Sequence, residues 1–96
     1  MVYVFILKKF YVENNVDLPM AINNDDIKVF KKKDDAISYR NNCHNNCKDL
    51  AKESNSYRAT TFIEKENGIP VVVLHFKNRT RFCFEVIETE MVENLF

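Results

Sequence analysis

Hydrophobic and polar positions change their period along the chain, and these changes divide it into strand and helix segments. Residues 2–13, VYVFILKKFYVE, are rich in β-branched and aromatic side chains, and the first six positions are all apolar. A strand that is apolar on both faces is buried on both, so we expect a central strand here. Residues 27–30, IKVF, predict a short second strand, and the Asn, Asp and Pro residues between them favour a loop over residues 14–26.

From Lys33 to about Glu53 the apolar positions follow a helical period. Asp34 and Asp35 suit the first turn of this helix, because the helix dipole favours carboxylates there. The apolar side chains that share one face are Ala36, Tyr39, Cys43, Cys47 and Leu50. We expect the helix to pack on a sheet through this stripe.

Three further strand segments follow the helix, at residues 57–66, 69–77 and 80–90. Asn67–Gly68 predicts a type I′ hairpin turn, Asn78–Arg79 a second tight turn, and residues 91–96 a tail or short helical turn. The element order is β-β-α-β-β-β, which predicts one α+β domain spanning residues 1–96. We expect an antiparallel-rich sheet of four to five strands with one helix packed on one face.

Composition excludes several classes of function. The single glycine rules out a glycine-rich phosphate loop, and a formal net charge of zero argues against broad attraction to nucleic-acid backbones. The apolar run at the start is too short to span a membrane, so we expect no membrane partner. Three cysteines, an odd number, suit a reducing compartment, so we expect a cytoplasmic protein, located in the host cell if it is viral.

The stretch RNNCHNNCKDL, residues 40–50, holds the most chemically suggestive side chains of the chain. Cys43 and Cys47 could share a metal with His75 and Cys83, but their spacing does not match that of common structural zinc sites. Both cysteines also lie on the apolar stripe of the helix, where a thiol packs as a small hydrophobic group. We interpret them as core residues, with His44 turned toward the boundary or solvent, and we predict no metal and no cofactor.

No arrangement of catalytic side chains is evident in the sequence. There is no Ser–His–Asp pattern, and the acidic residues form no converging pair. His75 alternates with Val71 and Val73 in a strand, where a lone histidine is more often a packed residue than a base, because a base needs an orienting partner. We therefore predict a protein without enzymatic activity.

The last two strands have more apolar surface than one helix can cover, because both of their faces are apolar. The second face then needs the loop at 14–26, a second copy of the chain or a protein partner. We take Phe82 and Phe84 as candidate contacts on that face.

A lysine cluster at the start of the helix is the other candidate contact; it consists of Lys28, Lys31, Lys32 and Lys33. These four charges repel one another and oppose the helix dipole, as expected of a site for an acidic partner. The alternative is an exposed, solvated junction.

A second class of function is a nucleic-acid-binding sheet. Aromatic side chains on the strands could stack on bases, and the candidates are Tyr3, Phe5, Phe62 and Phe82. The zero net charge and the absence of a Gly-Phe-x-Phe run count against this hypothesis. A dimeric regulator without a further partner is a third interpretation.

Residues 1–45 resemble a module found in small accessory proteins of phages and other mobile elements. In that module a first strand is followed by a short strand ending in Val-Phe, here Val29 and Phe30, and by a capped helix with Ala and Tyr near its start, here Ala36 and Tyr39. Such proteins often bind and block a host protein, including antiviral defence components such as CRISPR effectors. The resemblance thus implies a stoichiometric inhibitor of a host protein.

Overall fold

A computed structural model describes residues 2–14, 16–19 and 27–90 of the chain. Its elements are β1 (Val2–Glu13), β2 (Val16–Pro19), β3 (Ile27–Phe30), α1 (Lys33–Glu53), β4 (Tyr57–Ile63), β5 (Val71–Phe76) and β6 (Thr80–Thr89). All strands pair antiparallel, and α1 packs on the sheet they form. The predicted α+β class, with one helix on one face of an antiparallel sheet, is confirmed.

The sheet is built around β1, which is the longest strand. Its neighbours follow the order β2-β1-β6-β5-β4, and β6 pairs with β1 over almost its whole length. On the other side of β1, β3 pairs with residues 3–6 and β2 with residues 10–13, so these two short strands lie end to end. The prediction of a central first strand over residues 2–13 is confirmed.

The predicted loop over residues 14–26 is wrong in its first part, because residues 16–19 form β2. Asn14 adopts a φ of 53°, a left-handed conformation that asparagine tolerates, and it turns the chain back along β1. Val16 and Leu18 then extend the sheet sideways and do not cover its open face. Residues 20–26 lie outside the described residues, as does the predicted tail at 91–96.

The main core lies between α1 and the sheet. Its fully enclosed side chains are Phe5, Val72, Leu74 and Phe84, with exposures from 0 to 4%. A second cluster joins Ala36 of the helix to Ile69 and Val86. Because side chains alternate along a strand, the even-numbered residues of β5 and β6 face the helix and the odd-numbered ones face away.

The helix matches its predicted bounds, and its packing stripe matches in most positions. Ala36 is completely buried, and Tyr39, Cys43 and Cys47 pack against the core as predicted. The prediction that Leu50 packs on the sheet is wrong, since Leu50 is 65% exposed and Ala51 is the buried residue of the last turn. Arg40 is also buried on this side, where its guanidinium donates a 2.7 Å hydrogen bond to the carbonyl oxygen of Pro70.

Both hairpin turns form where they were predicted, but the first has a different conformation. A type I′ turn needs a positive φ at both central residues, and only Gly68 has one, at 75°. Asn67 instead uses its side chain, which accepts a hydrogen bond from the Ile69 amide and donates one to the carbonyl of Val86. The turn is therefore wider, and β5 begins at Val71, after Pro70, which has no N–H to donate.

Candidate functional site on the sheet face opposite the helix

The sheet face that points away from α1 carries a contiguous group of aliphatic side chains. In the strand register, Val4 lies between Val29 and Ile87, and Ile6 lies between Ile27 and Glu85. Directly opposed side chains on antiparallel strands stand about 5 Å apart, so these side chains form one surface. We call Val4, Ile6, Ile27, Val29 and Ile87 the apolar patch.

The apolar patch is accessible at its β3 side. Ile27 is 39% exposed and Val29 is 46% exposed, while Val4, Ile6 and Ile87 are half-buried. Among residues 2–14, 16–19 and 27–90 no helix or strand packs on this face, because α1 lies on the other one. A cluster of exposed aliphatic groups with a polar border is typical of an interaction surface.

The predicted lysine cluster lies along the border of the apolar patch. Lys28 stands in β3 between Ile27 and Val29, and Lys31, Lys32 and Lys33 follow directly after the strand; all four are exposed. Lys28 is opposite Phe5 and so lies on the helix side of the strand. The role of the lysines in binding stays a prediction, and the structure adds that they adjoin the patch.

The candidate contact Phe84 is wrong, because its side chain is 0% exposed in the core. Its ring packs edge-on against His44, with ring centroids 5.5 Å apart, and at 6.4 Å from Phe5. Phe82 lies on the same helix side, half-buried, 5.0 Å from the ring of Phe76. Neither phenylalanine reaches the face opposite the helix.

Ile27 and Val29 were not among the predicted contact residues, although the sequence contains a signal for them. In the short strand IKVF the aliphatic residues at 27 and 29 alternate with Lys28 and Phe30. Since Phe30 packs on the helix side and side chains alternate along a strand, Ile27 and Val29 lie on the opposite face.

The aromatic platform suggested for nucleic acid does not form an open surface. Tyr3, Phe5 and Phe82 all belong to the face that the helix covers, and Phe5 is only 2% exposed. Phe62 is 66% exposed, but it stands on the edge strand β4, away from β1. Bases could not stack on these four rings together without removal of the helix.

The four residues suggested as an alternative metal set are separated by the sheet. Cys43 and Cys47 point from α1 toward the helix side, whereas His75 and Cys83 point to the opposite side. That ligand set is therefore wrong, and in the described part of the chain no group of three or more His, Cys, Asp or Glu side chains could hold a metal. No disulfide links the cysteines, and burial raises the pKa of the Cys47 thiol, which keeps it protonated as a packing group.

His44 lies at the boundary of the core, as predicted, and is half-buried. Its imidazole lies between the helix and β4, where Nε2 is 3.2 Å from the hydroxyl of Thr60. Burial is the main reason that the pKa of His44 falls below its ordinary value of 6.5. The side chain therefore acts as a neutral packing and hydrogen-bonding group at neutral pH.

An ion pair borders the apolar patch toward the middle of the sheet. Lys8 and Glu85 form a salt bridge across β1 and β6, and the ammonium of Lys65 lies 3.9 Å from the same carboxylate. This group limits the patch on the side away from β3, so the accessible aliphatic surface faces the β3 edge.

Comparisons with models of protein families, with curated proteins and with solved structures give no match to this chain. No helix in the described ranges is long and apolar enough to cross a membrane. The fold and the surface therefore have to support the functional argument by themselves.

Proposed function

We propose that the protein is a non-enzymatic binding protein that acts stoichiometrically on a protein partner through the apolar patch. The observation that carries the proposal is the exposure of Ile27 and Val29 on the sheet face opposite the only helix described. Exposed β-branched residues beside half-buried ones form the kind of centre that protein interfaces use. Removing this surface from water on binding would supply the main driving force.

The charges around the patch define the chemistry of the partner surface. The lysine cluster borders the β3 side of the patch, and its four side chains are exposed. A partner with an apolar area bordered by Asp or Glu side chains would match both features. Such complementary charges raise the association rate and select the partner more than they raise the affinity.

The resemblance of residues 1–45 to phage accessory proteins adds a class of partner to this proposal. The apolar patch and the lysine cluster both take residues from β3, which lies within the segment that carries the resemblance. We therefore include in the proposal a phage or mobile-element origin and a host defence protein, such as a CRISPR effector, as the partner.

The test begins with capture of partners from a host lysate by the tagged protein, followed by mass spectrometry and measurement of the affinity of the best candidate. Val29→Asp places a charge on the accessible side of the patch and should weaken binding by about thirtyfold, as expected for loss of an interface contact worth ~2 kcal/mol. The matched control is Ile63→Asp, which alters a β-branched residue that is 50% exposed on the same face at the far edge of the sheet. Equal affinities for the two variants would contradict the assignment of the patch.

The lysine cluster needs its own experiment. Replacing Lys31, Lys32 and Lys33 by Ser should slow association and make the affinity less sensitive to salt, because exposed charges act over about a Debye length. An unchanged affinity and salt dependence would remove the cluster from the binding site.

A second copy of the chain is the competing occupant of the patch. Sedimentation at micromolar concentration distinguishes the two: our proposal expects a monomer that binds its partner one to one. A dimer that Val29→Asp converts to a folded monomer would assign the patch to self-association and refute the proposal of a foreign partner.

A further inference from the structure

A second site, which is polar, lies on the same sheet face as the apolar patch, at the end where β5 turns into β6. A cavity of about 400 Å³ opens there, and its guanidinium, imidazole and hydroxyl groups come from Arg58, His75, Arg79, Thr80 and Arg81. We call these residues the basic pocket. Arg81 is directly opposite His75 in the strand register, and Phe76 and Val12 supply apolar walls.

Two backbone irregularities bring arginines to this cavity. The pairing of β4 with β5 shifts between Tyr57 and Ala59, so Arg58 is an extra residue at a bulge. Arg79 has a φ of 72°, a left-handed conformation that costs an arginine about 1–2 kcal/mol and that glycine would adopt without strain. Bulges and strained residues are common at functional sites, and here both place guanidinium groups at one cavity.

The electrostatics of the basic pocket favour an anion. Among the side chains that the structure describes, no carboxylate lines it, and neither Arg58 nor Arg79 forms an ion pair with any of them. Burial, followed by the positive charges of Arg81 and Arg58, lowers the pKa of His75, whose Nε2 is held 2.7 Å from the hydroxyl of Thr61. Like charges around one cavity repel one another, and a bound anion would offset that repulsion.

We propose that the basic pocket binds the phosphate group of a phosphomonoester, at a site separate from the apolar patch. Planar guanidinium groups match phosphate oxygens in two-point hydrogen bonds, and a doubly charged group suits a pocket with more than one arginine.

The layout of charge indicates a single phosphate group and not a nucleic-acid backbone. The basic pocket lies near Val12, at the end of β1 that pairs with β2, whereas the lysine cluster follows β3 at the opposite end. The salt bridge between Lys8 and Glu85 lies between them. A bound strand of nucleic acid would need a continuous basic groove, which this arrangement interrupts.

The experiment is a titration of ¹⁵N-labelled protein with inorganic phosphate, followed by phosphoserine and adenosine monophosphate, at constant ionic strength. Saturable shifts should appear in the amides of Arg58, His75, Arg79 and Thr80, with Kd in the millimolar range or below. Arg58→Gln and Arg79→Asn should each weaken binding about tenfold, the effect of losing one charge-assisted hydrogen bond. Asn tolerates the left-handed conformation at position 79, so this variant removes the guanidinium and keeps the turn.

Lys32→Gln is the control, because it removes the same charge far from the pocket and should change the phosphate affinity less than twofold. Equal weakening by Lys32→Gln, shifts that do not saturate, or an equal response to added chloride would overturn the proposal. Tighter binding of acetate than of phosphate would also overturn it. Tighter binding of phosphoserine would point to a phosphorylated chain as the source of the phosphate. Tighter binding of adenosine monophosphate would point to a nucleotide, and equal binding of all three would point to recognition of the phosphate group alone.

Discussion

Phe84 and Phe62 provide a direct test of where the core lies on the helix side of the sheet. Both are phenylalanines on the helix side of the sheet, but Phe84 is 0% exposed on a central strand and Phe62 is 66% exposed on the edge strand. Replacing each by alanine removes the same atoms from two different environments.

The expected cost for Phe84→Ala follows from its complete burial. The ring loses its contacts with Val72, Leu74 and Phe5 and its edge-on packing against His44. A buried Phe→Ala change typically lowers the free energy of unfolding by about 3–5 kcal/mol, through lost transfer free energy and the cavity left behind. That is a large part of the roughly 5–15 kcal/mol that a domain of this kind has in total. Phe62→Ala should cost under about 1 kcal/mol, because little area is lost from contact.

Urea denaturation followed by circular dichroism measures both values, provided that the slope of the transition is unchanged. In thermal unfolding, Phe84→Ala should lower Tm by about 15–30 °C. Similar costs for the two variants, or a cost below about 1.5 kcal/mol for Phe84→Ala, would refute the placement of the core between α1 and the central strands. Because Phe84 is 0% exposed and Phe62 is 66% exposed, a small difference in cost between the two variants could not be reconciled with the fold.

Three further outcomes are expected. Lys32→Ser should raise the free energy of unfolding by about 1 kcal/mol, because residue 32 is the N-cap and makes no capping hydrogen bond with its side chain; an unchanged urea midpoint would contradict this. Arg79→Gly should raise the free energy of unfolding by up to about 1 kcal/mol, because glycine adopts the positive φ without strain. A lower Tm in thermal unfolding would contradict this, since it would mean that contacts of the arginine side chain stabilise the fold by more than the strain costs. Burial lowers the pKa of His44 in the folded protein below 6.5, so the unfolded chain binds a proton more readily than the folded one. The free energy of unfolding should therefore decrease as the pH falls from about 6.5 through the pKa of His44 in the folded protein. His44→Gln should reduce this loss in urea midpoints compared between about pH 7.5 and 5.5, and an identical pH dependence in both proteins would assign it to other groups.

The local pattern of the sequence determined most of the element bounds. The strand at 2–13, the short strand at 27–30 and the helix from Lys33 to Glu53 all match the structure, because apolar periodicity and β-branched content act over a few neighbouring residues. The strand at 16–19 was not predicted, because turn-forming Asn, Asp and Pro residues surround its two aliphatic residues. Pairing with β1 makes this segment a strand.

Which face of the sheet is buried was decided by the tertiary structure. The last strand is apolar at Phe82 and Phe84 and also at Cys83 and Ile87, so alternation alone separates two faces without saying which one meets the helix. The position of α1 over the even-numbered residues buries Phe84. On the opposite face Val71 and Val73 of β5 are also buried, with 4% and 2% exposure, and the patch is accessible at its β3 side.

The basic pocket likewise depends on distant parts of the chain. Arg58 is the second residue of β4, while Arg79 and Arg81 belong to the last hairpin, and no sequence motif links the three. The bulge in β4 and the pairing of β4, β5 and β6 bring them to one cavity. Sequence periodicity indicates how each segment distributes its own side chains between two faces. The assembly of a site depends instead on strand order and register. Both are set by contacts between segments far apart in the chain.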